Sequence, residues 1–280
     1  MPSKTAFVTG ASRGIGKACA VSLAQAGFDV ALAARTVAPG ESREHSVTIR
    51  KSDTRPLPGS LEETAADVEA CGQRALMIAM DLTDRASVAA GTTMLVERWG
   101  APDMVLHNGR YVGPGMMDGV LDTAIESYTK FLEAHVIAPL IITQRVLPGM
   151  LERGSGMVMT MGSGAAINDP PAAPGQGGWG LGYGIGKAGG HRLVGHLRAE
   201  FGSRGIHAFN VNPGYVRTER NALTLEDDGM DPDAGAPPAA VGQAVAWLAT
   251  APEALELEGT YVDAQQLTSD RGLLAGWSLA

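Results

Sequence analysis

Short apolar runs alternate with longer amphipathic segments along almost the whole chain of 280 residues. The predicted strands are Thr5–Thr9, Val30–Ala34, Ala75–Met80, Met104–His107, Met157–Met161, Ile206–Val211 and Thr260–Asp263. The predicted helices are Ile15–Gly27, Leu61–Gly72, Ala86–Trp99, Ile125–Leu151, Tyr183–Arg204 and Ala239–Ala249. Strands that alternate with helices are joined by right-handed crossovers, which place helices on both faces of a parallel sheet. We therefore expect a single doubly wound α/β domain of three layers over residues 1–280.

Three segments interrupt this alternation and are interpreted as insertions, at about residues 37–59, 165–182 and 218–238. The first is polar and contains three prolines, the second is rich in Gly and Pro, and the third is acidic and rich in Pro. Loops of this length in a compact domain are usually functional or disordered. The last two follow the carboxyl ends of strands, where open α/β sheets bind their ligands.

Composition excludes several classes of function. The net charge of −8, without a cluster of Lys or Arg, argues against a nucleic-acid partner. Cys19 and Cys71 are isolated and the six histidines form no metal-binding motif, so we expect no metal site and a reducing compartment. We find no uninterrupted apolar stretch of membrane-spanning length and no signal peptide, which predicts a cytoplasmic protein without a membrane partner.

The segment Thr9–Gly16, with the sequence TGASRGIG, joins the first strand to the first helix. Glycines in such a turn let the backbone approach a pyrophosphate, which binds at the helix N-terminus. A glycine-rich turn alone is equally consistent with an ordinary strand–helix connection, but its position between strand and helix favours dinucleotide binding. We predict cofactor contacts from Gly10, Ser12, Arg13, Gly14, Ile15 and Gly16.

The end of the second strand indicates which dinucleotide is bound. Enzymes that use NAD tend to have an acidic residue there for the ribose 2′-hydroxyl, whereas this chain has Arg35 and Thr36. Arg13 is within reach of the same region, and two guanidiniums suit a 2′-phosphate. Either arginine alone could be a solvated surface charge. The two together, without an acid, favour NADP(H) over NAD(H).

Tyr183 and Lys187 lie four residues apart in a predicted helix, so both side chains are on one face. A phenol titrates near pH ~10, too high for a base at neutral pH. A neighbouring ammonium favours the phenolate, because an opposite charge stabilises the ionised form. This pair is therefore a candidate for general acid–base catalysis. The spacing alone is weak evidence, although Tyr183 is the only one of five tyrosines followed by such a lysine.

TGASRGIG, the Tyr183–Lys187 pair and the segment Asn212–Thr218 (NPGYVRT), in this order, make the chain resemble the short-chain dehydrogenase/reductase family. The resemblance extends from Lys4 to about Asp263. It implies a Rossmann-type sheet of about seven parallel strands, usually in homotetramers or homodimers. It also implies hydride transfer between NAD(P) and an alcohol or carbonyl substrate. The segment Leu57–Ala65 is similar to a hydroxysteroid-dehydrogenase-like subset of the family, which does not establish a steroid substrate.

The resemblance assigns roles to individual residues. Tyr183 matches the catalytic acid/base, Lys187 the residue that lowers its pKa and holds the nicotinamide ribose, and Ser163 the serine that hydrogen-bonds the reacting oxygen. Ser163 precedes Tyr183 by 20 residues, more than is usual in the family, because segment 165–182 is expanded. The implied cofactor contacts include Tyr183 and Lys187 together with Asp81 (adenine), Leu82, Asn108, Gly109, Pro213, Gly214, Val216 and Thr218 (carboxamide).

Two positions depart from the family pattern. Asn108 lies in His-Asn-Gly-Arg, where the family usually has Asn-Asn-Ala-Gly, and His135 replaces an asparagine whose carbonyl holds a water on a proton path to the lysine. Pro139 has no N–H to donate to the carbonyl of His135, so we expect that carbonyl to be free. The imidazole is a hydrogen-bonding substitute, an extra ionisable group, or a packed side chain without a catalytic role.

These residues leave three functional hypotheses. The leading one is an NADP-dependent oxidoreductase acting on a carbonyl or secondary alcohol. The alternatives are an epimerase or dehydratase that recycles bound cofactor, and a non-catalytic dinucleotide-binding protein. An apolar substrate is plausible because apolar and aromatic side chains fall in segments expected near the site: Tyr111, Val112, Met116, Trp179, Tyr215 and Met230.

Overall fold

The structure is a computed structural model and describes residues 3–227, 231 and 234–279. Its strands are β1 (Lys4–Thr9), β2 (Phe28–Ala34), β3 (Ala75–Ala79), β4 (Met104–His107), β5 (Gly156–Met161), β6 (Ile206–Asn212) and β7 (Tyr261–Asp263). They form one parallel sheet in the order β3-β2-β1-β4-β5-β6-β7. The order reverses between β1 and β4, which makes the carboxyl ends of these two strands the expected position for a ligand.

Helices cover both faces of the sheet. They are α1 (Gly14–Gln25), α2 (Leu61–Ala70), α3 (Arg85–Trp99), α4 (Ile125–Leu132), α5 (Ala138–Arg153), α6 (Leu181–Phe201), α7 (Glu219–Asp227), α8 (Pro238–Thr250) and α9 (Ala264–Arg271). One buried cluster joins the sheet to α1, α2, α8 and α9, and a second joins it to α3, α5 and α6. The predicted three-layer, doubly wound α/β fold is therefore confirmed.

The strands agree with the prediction to within two residues at either end, because their long apolar runs are buried on both faces. Two helices were not predicted, α7 and α9. Helix α7 lies within the segment 218–238, which the acidic, proline-rich sequence had indicated as an irregular insertion. Residues 228–230 and 232–233, including Met230, which was expected near the site, lie outside the described part of the chain.

The predicted helix 125–151 is divided into α4 and α5 by a π-helical turn, Glu133–Ile137. The amide of Ala138 donates to the carbonyl of Glu133, five residues earlier, instead of four. Pro139 has no amide hydrogen, so the regular α-helical pattern cannot continue through this turn. Turns of this kind often occur at functional sites, and this one places His135 against α6.

Among the described residues, one helical stretch, 125–153, is long and apolar enough to cross a membrane by length and composition alone. Half of its most apolar window is buried inside the domain, where α5 packs against the sheet and α3. Core helices of globular domains have the same composition, so this stretch is weak evidence for a membrane span.

Candidate active site

A cavity of about 530 Å³ opens at the carboxyl ends of the strands, around the point where the strand order reverses. The structure brings the predicted site residues together along its wall: Gly10, Ser12, Arg13, Gly14, Ile15, Gly16, Arg35, Thr36, Asp81, Leu82, Asn108, Gly109, Ser163, Tyr183, Lys187, Pro213, Gly214, Val216 and Thr218. His135 is the exception, because its side chain lies between its own π-helical turn and α6, behind this wall.

The glycine-rich turn between β1 and α1 is too crowded for side chains. Gly10 has a positive φ of 68°, and a Cβ added there would lie 2.7 Å from the Cα of Gly109. A Cβ on Gly16 would lie 2.0 Å from the carbonyl oxygen of Gly10. The amide of Asn108 holds the turn by donating to the carbonyls of Thr9 at 3.0 Å and Gly10 at 3.3 Å. Asn108 thus fixes β4 to the turn, as predicted.

The N-terminus of α1 binds an anionic group in this structure. The amide of Gly14 donates to a carboxylate oxygen of Glu219, in α7, at 3.3 Å. Sequence analysis did not identify Glu219, because it belongs to a helix that was not predicted. The carboxylate at this position indicates that the N–H groups of the turn can donate to a negatively charged ligand. Pyrophosphate binding requires this property.

Arg13 has partners that the sequence did not indicate. Its guanidinium donates to the carbonyls of Pro58 and Gly59, both at 2.8 Å, and to that of Leu57 at 3.4 Å. Burial, together with the nearby charges of Arg35 and other residues, lowers the pKa of Arg13. Arg35 lines the same end of the cavity. Arg13 therefore anchors segment 37–59 as well as lying near the predicted 2′-phosphate site.

Segment 37–59 covers one side of the cavity as an irregular but well-connected chain. Arg220, in α7, donates to the carbonyl of His45 at 3.0 Å. Asp118 accepts from the hydroxyl of Thr48 at 2.5 Å and from the amide of Ile49 at 3.0 Å. His45 and Leu57 line the cavity itself. The segment is thus fastened to elements on both sides of the site.

Tyr183, Lys187 and Ser163 meet at the opposite end of the cavity. The ammonium of Lys187 is buried, donates to the carbonyl of Met161 at 2.7 Å, and lies 5.9 Å from the centre of the Tyr183 ring. Ser163, at the end of β5, lines the same cavity. Burial raises the pKa of Tyr183, but the charges of Lys187 and Arg110, with smaller contributions from the side chains of Ser163 and Arg110, outweigh it. The net pKa of the phenol is lowered, as predicted from the pairing with Lys187.

Arg110 is a second cation at the catalytic tyrosine and was missed by sequence reasoning. It follows β4, lines the cavity and lowers the pKa of the Tyr183 phenol through its charge. The available signal was the motif His-Asn-Gly-Arg, in which arginine stands where the family usually has glycine. Gln265, in α9, was also missed, and it donates to the carbonyls of Pro213 and Tyr215 at 2.8 and 3.0 Å. No sequence signal connects Gln265 to that loop.

A stripe of glycines on α6 brings the catalytic helix close to the π-helical turn. Gly182, Gly186 and Gly190 are spaced by four residues and face the same neighbouring elements. A Cβ on Gly182 would lie 2.6 Å from the ring of Phe131, and one on Gly186 would lie 2.3 Å from Nδ1 of His135. The absence of side chains on this face therefore sets the position of Tyr183 and Lys187.

His135 is a buried, neutral side chain. Burial, followed by the charges of Lys187 and Arg110, holds the pKa of its imidazole well below the usual range. Among the described residues neither ring nitrogen has a hydrogen-bond partner, and the ring lies 6.2 Å from that of Tyr183. Its carbonyl faces α6, where a Cβ on Gly190 would lie 2.7 Å from the oxygen. Charge on this imidazole at neutral pH is disfavoured, while the water-mediated proton path stays a prediction.

Among the described residues, no group of three His, Cys, Asp or Glu side chains could hold a metal ion. The cavity wall contains most of the apolar residues that were expected near the site: Tyr111, Val112, Met116, Trp179 and Tyr215. The wall is therefore partly apolar, and it also contains four arginines, Arg13, Arg35, Arg110 and Arg220.

The family model described as "short chain dehydrogenase" matches residues 4–59 and 55–229, most of the chain. The chain belongs to the short-chain dehydrogenase family. This agrees with the predicted enzyme class, oxidoreductases that act on alcohol or carbonyl substrates with NAD(P). Within the short-chain dehydrogenase fold, the position of the Tyr183–Lys187 pair on α6 and of the glycine-rich turn after β1 follows the order of the motifs in the sequence.

Individual short-chain dehydrogenases are similar to the chain at moderate identity. Human "Dehydrogenase/reductase SDR family member 7" is 31% identical over 227 residues, covering 79% of this chain and 58% of that protein. A metagenomic short-chain oxidoreductase solved in complex with NADP is 25% identical, with a TM-score of 0.66 and coverage of 88% and 90%. L-sorbose reductase from Gluconobacter frateurii, solved with NADPH and L-sorbose, is 23% identical with a TM-score of 0.72 and coverage of 94% of each chain, and shows the fold alone.

The matches cover 65%, 58% and 34% of the first three curated relatives, so this chain corresponds to part of their length.

Proposed function

We propose that the protein is an NADP-dependent oxidoreductase that interconverts a carbonyl compound and a secondary alcohol. The observation that carries the proposal is the Tyr183 phenol. It lies beside the buried ammonium of Lys187, shares the cavity wall with Ser163, and stands at one end of a cavity whose other end is the glycine-rich turn. These groups form the arrangement that proton exchange at a reacting oxygen requires.

When bound, a nicotinamide dinucleotide supplies the hydride donor or acceptor. The residues of the glycine-rich turn would hold its pyrophosphate at the N-terminus of α1, where the carboxylate of Glu219 accepts from the amide of Gly14 in this structure. Lys187 would hold the nicotinamide ribose next to Tyr183. Asp81, whose carboxylate is oriented by Thr83 at 2.7 and 2.9 Å, is placed to contact the adenine.

Ser163 orients the substrate oxygen by hydrogen bonding, and Tyr183 exchanges a proton with that oxygen. During reduction the phenol donates its proton to the developing alkoxide. During oxidation the phenolate accepts the proton of the alcohol. Lys187 stabilises the phenolate in both directions because its positive charge lies close to the ring.

A preference for NADP is supported by Arg35 and Arg13 and by the lack of an acid at the end of β2. The structure shifts the balance between the two arginines, since Arg13 already donates to three carbonyls of segment 37–59. Arg35 is therefore the principal candidate for the 2′-phosphate.

A panel of ketones and secondary alcohols, run in parallel with NADPH and NADH, tests the proposal. We expect turnover with NADPH, and we expect Tyr183→Phe to lower kcat by about 10²- to 10⁴-fold while NADPH binding persists. Turnover that survives Tyr183→Phe would contradict the assignment of the acid/base. A cofactor-recycling epimerase or dehydratase would turn over substrate without net oxidation of NADPH, and a non-catalytic protein would bind NADPH without turnover.

We propose that the protein forms a homodimer or homotetramer through α5 and α6. A groove of about 450 Å³ lies between these helices, with Leu140, Leu147 and Leu193 in its wall, and Leu140 is 37% exposed. Light scattering during size exclusion would measure the assembly, and Leu193→Arg is expected to reduce its mass. The two free cysteines, Cys19 and Cys71, support a reducing, cytoplasmic location, which fractionation of the native host would test.

A further inference from the structure

Arg110 places a permanent positive charge at the catalytic end of the cavity. Its side chain is partly buried and lines the same cavity as Tyr183, and its charge lowers the pKa of the phenol. The acid–base roles of Ser163, Tyr183 and Lys187 do not require this second cation. Arginine keeps its charge at any pH at which a protein is folded. A group of this kind needs a partner whenever the closing of a site removes its water.

The described part of the chain offers Arg110 no carboxylate. Other arginines there have one: Arg43 pairs with Glu41, Arg55 with Asp53, Arg74 with Asp29, Arg85 with Glu133 and Arg153 with Asp103. Its charge lowers the pKa of Lys187, after the larger effect of burial, and that of Arg220, again after burial. Arg110 therefore lies near two other cations of the cavity wall, although the whole chain carries a net charge of −8.

Arg220 contributes less to this field than Arg110 does. It donates to the carbonyl of His45 and lies near the carboxylate of Asp53. For Arg110, by contrast, the described residues provide no ion-pair partner, and its charge lowers the pKa of the Tyr183 phenol. A guanidinium has five N–H donors, so Arg110 can donate to a ligand in the cavity that it lines.

We propose that the substrate carries a carboxylate, as in a 2-oxo or 3-oxo acid, and that Arg110 binds this carboxylate in the cavity that it lines together with Tyr183. The inference rests on the proposed oxidoreductase function. The rest of the substrate is apolar, because Met116 and Trp179 line the same cavity. Arg110 would donate to the carboxylate in a charge-assisted, bidentate arrangement.

The test compares acids with neutral compounds of the same skeleton. The pairs are 2-oxo-4-phenylbutanoate with its ethyl ester, and 3-oxo-3-phenylpropanoate with its ethyl ester, each reduced with NADPH. We expect the wild-type enzyme to prefer the acid of at least one pair by about tenfold or more in kcat/KM. Arg110→Met should lower the acid-to-ester ratio by about 10- to 100-fold, the size expected for a charge-assisted hydrogen bond. Arg110→Lys should retain part of the preference.

The ratio is the informative quantity, because the charge of Arg110 also acts on Tyr183 and its removal changes the rate with both substrates of a pair. Arg98→Met, on the exposed side of α3, is the control and should leave the ratio unchanged. A wild-type enzyme that reduces the esters as well as the acids overturns the inference, as does a ratio that survives Arg110→Met. An unchanged ratio with a raised KM for NADPH would assign Arg110 to the cofactor and overturn it too.

A binding measurement separates this inference from the proposed function. Calorimetry with the enzyme–NADP⁺ complex compares the affinity for 4-phenylbutanoate with that for 4-phenylbutanamide. Neither compound has a ketone that the enzyme could reduce. We expect the acid to bind about tenfold more tightly, with the difference lost in Arg110→Met. Reduction of esters without any preference for acids would leave the oxidoreductase intact and remove the role of Arg110. Selective binding of the acid without turnover of any ketone would support the anion site and remove the oxidoreductase.

Discussion

The two ends of the cavity are built by different means. At the catalytic end, Tyr183 and Lys187 belong to one regular helix, and the glycine stripe of α6 packs that helix directly against the π-helical turn. At the opposite end, the irregular segment 37–59 is held by hydrogen bonds that Arg13 and Arg220 donate to its carbonyls and that Thr48 and Ile49 donate to Asp118. The first end depends on close packing between helices, whereas the second depends on polar contacts with individual side chains. Substitutions at the two ends should therefore have different consequences.

The largest effect is expected for Lys187→Met, which removes the ammonium from beside the phenol but keeps an apolar side chain of similar length. The pKa of Tyr183 should rise, because the main charge that stabilises the phenolate is gone. Oxidation requires the phenolate, so its rate should reach a plateau only at higher pH than in the wild type. We expect kcat at neutral pH to fall by about 10²- to 10⁴-fold. A pH–rate profile for alcohol oxidation that reaches its plateau at the same pH as in the wild type would contradict this.

Gly186→Ala tests whether packing defines the catalytic end. The added Cβ would lie 2.3 Å from the imidazole of His135, and overpacking of this kind typically costs about 1–3 kcal/mol. Gly195→Ala, on the exposed face of the same helix, meets nothing within 4 Å and should be neutral or stabilising by up to about 1 kcal/mol. Denaturant unfolding measures both. His135→Ala in the Gly186→Ala background should recover part of the loss, and equal effects of the two glycine substitutions would refute the packing argument.

Arg35→Gln tests the polar end. We expect the preference for NADPH over NADH to fall by about tenfold or more, because a charge-assisted contact with the 2′-phosphate is lost. The free energy of unfolding should be nearly unchanged, since the side chains that hold segment 37–59 are those of Arg13 and Arg220 and not that of Arg35. Arg13→Gln should instead lower both stability and cofactor preference, because its guanidinium donates to three carbonyls. The ratio of kcat/KM for the two cofactors is the measurement, and an unchanged ratio in Arg35→Gln would remove this residue from the 2′-phosphate site.

The smallest effect is expected for the pH dependence of His135→Asn. The pKa of the imidazole is held far below neutral by burial and by the charges of Lys187 and Arg110, so the wild-type side chain is uncharged over the working pH range. The substitution should leave the shape of the pH–rate profile between about pH 6 and 9 unchanged, whatever it does to the absolute rate. A new or missing ionisation in that range would restore the hypothesis of a titrating histidine.

The sequence by itself determined the parts of this protein that follow from local patterns. The apolar runs predicted all seven strands, since residues buried on both faces must be apolar along the whole strand. The fixed spacing of Tyr183 and Lys187 and the glycines after β1 predicted the functional end of the sheet. These features can be predicted because a helical turn or a tight turn fixes the relative positions of residues that are close together in the chain.

The tertiary structure alone decided which distant residues meet. Arg13 with the carbonyls of 57–59, Glu219 with the N-terminus of α1, and Gln265 with the loop after β6 are pairs separated by tens to hundreds of residues. The neutral state of His135 and the cation next to Tyr183 likewise depend on burial and proximity, which no local pattern encodes. Long-range electrostatics and desolvation are properties of the packed domain, so they become visible only once the chain is folded.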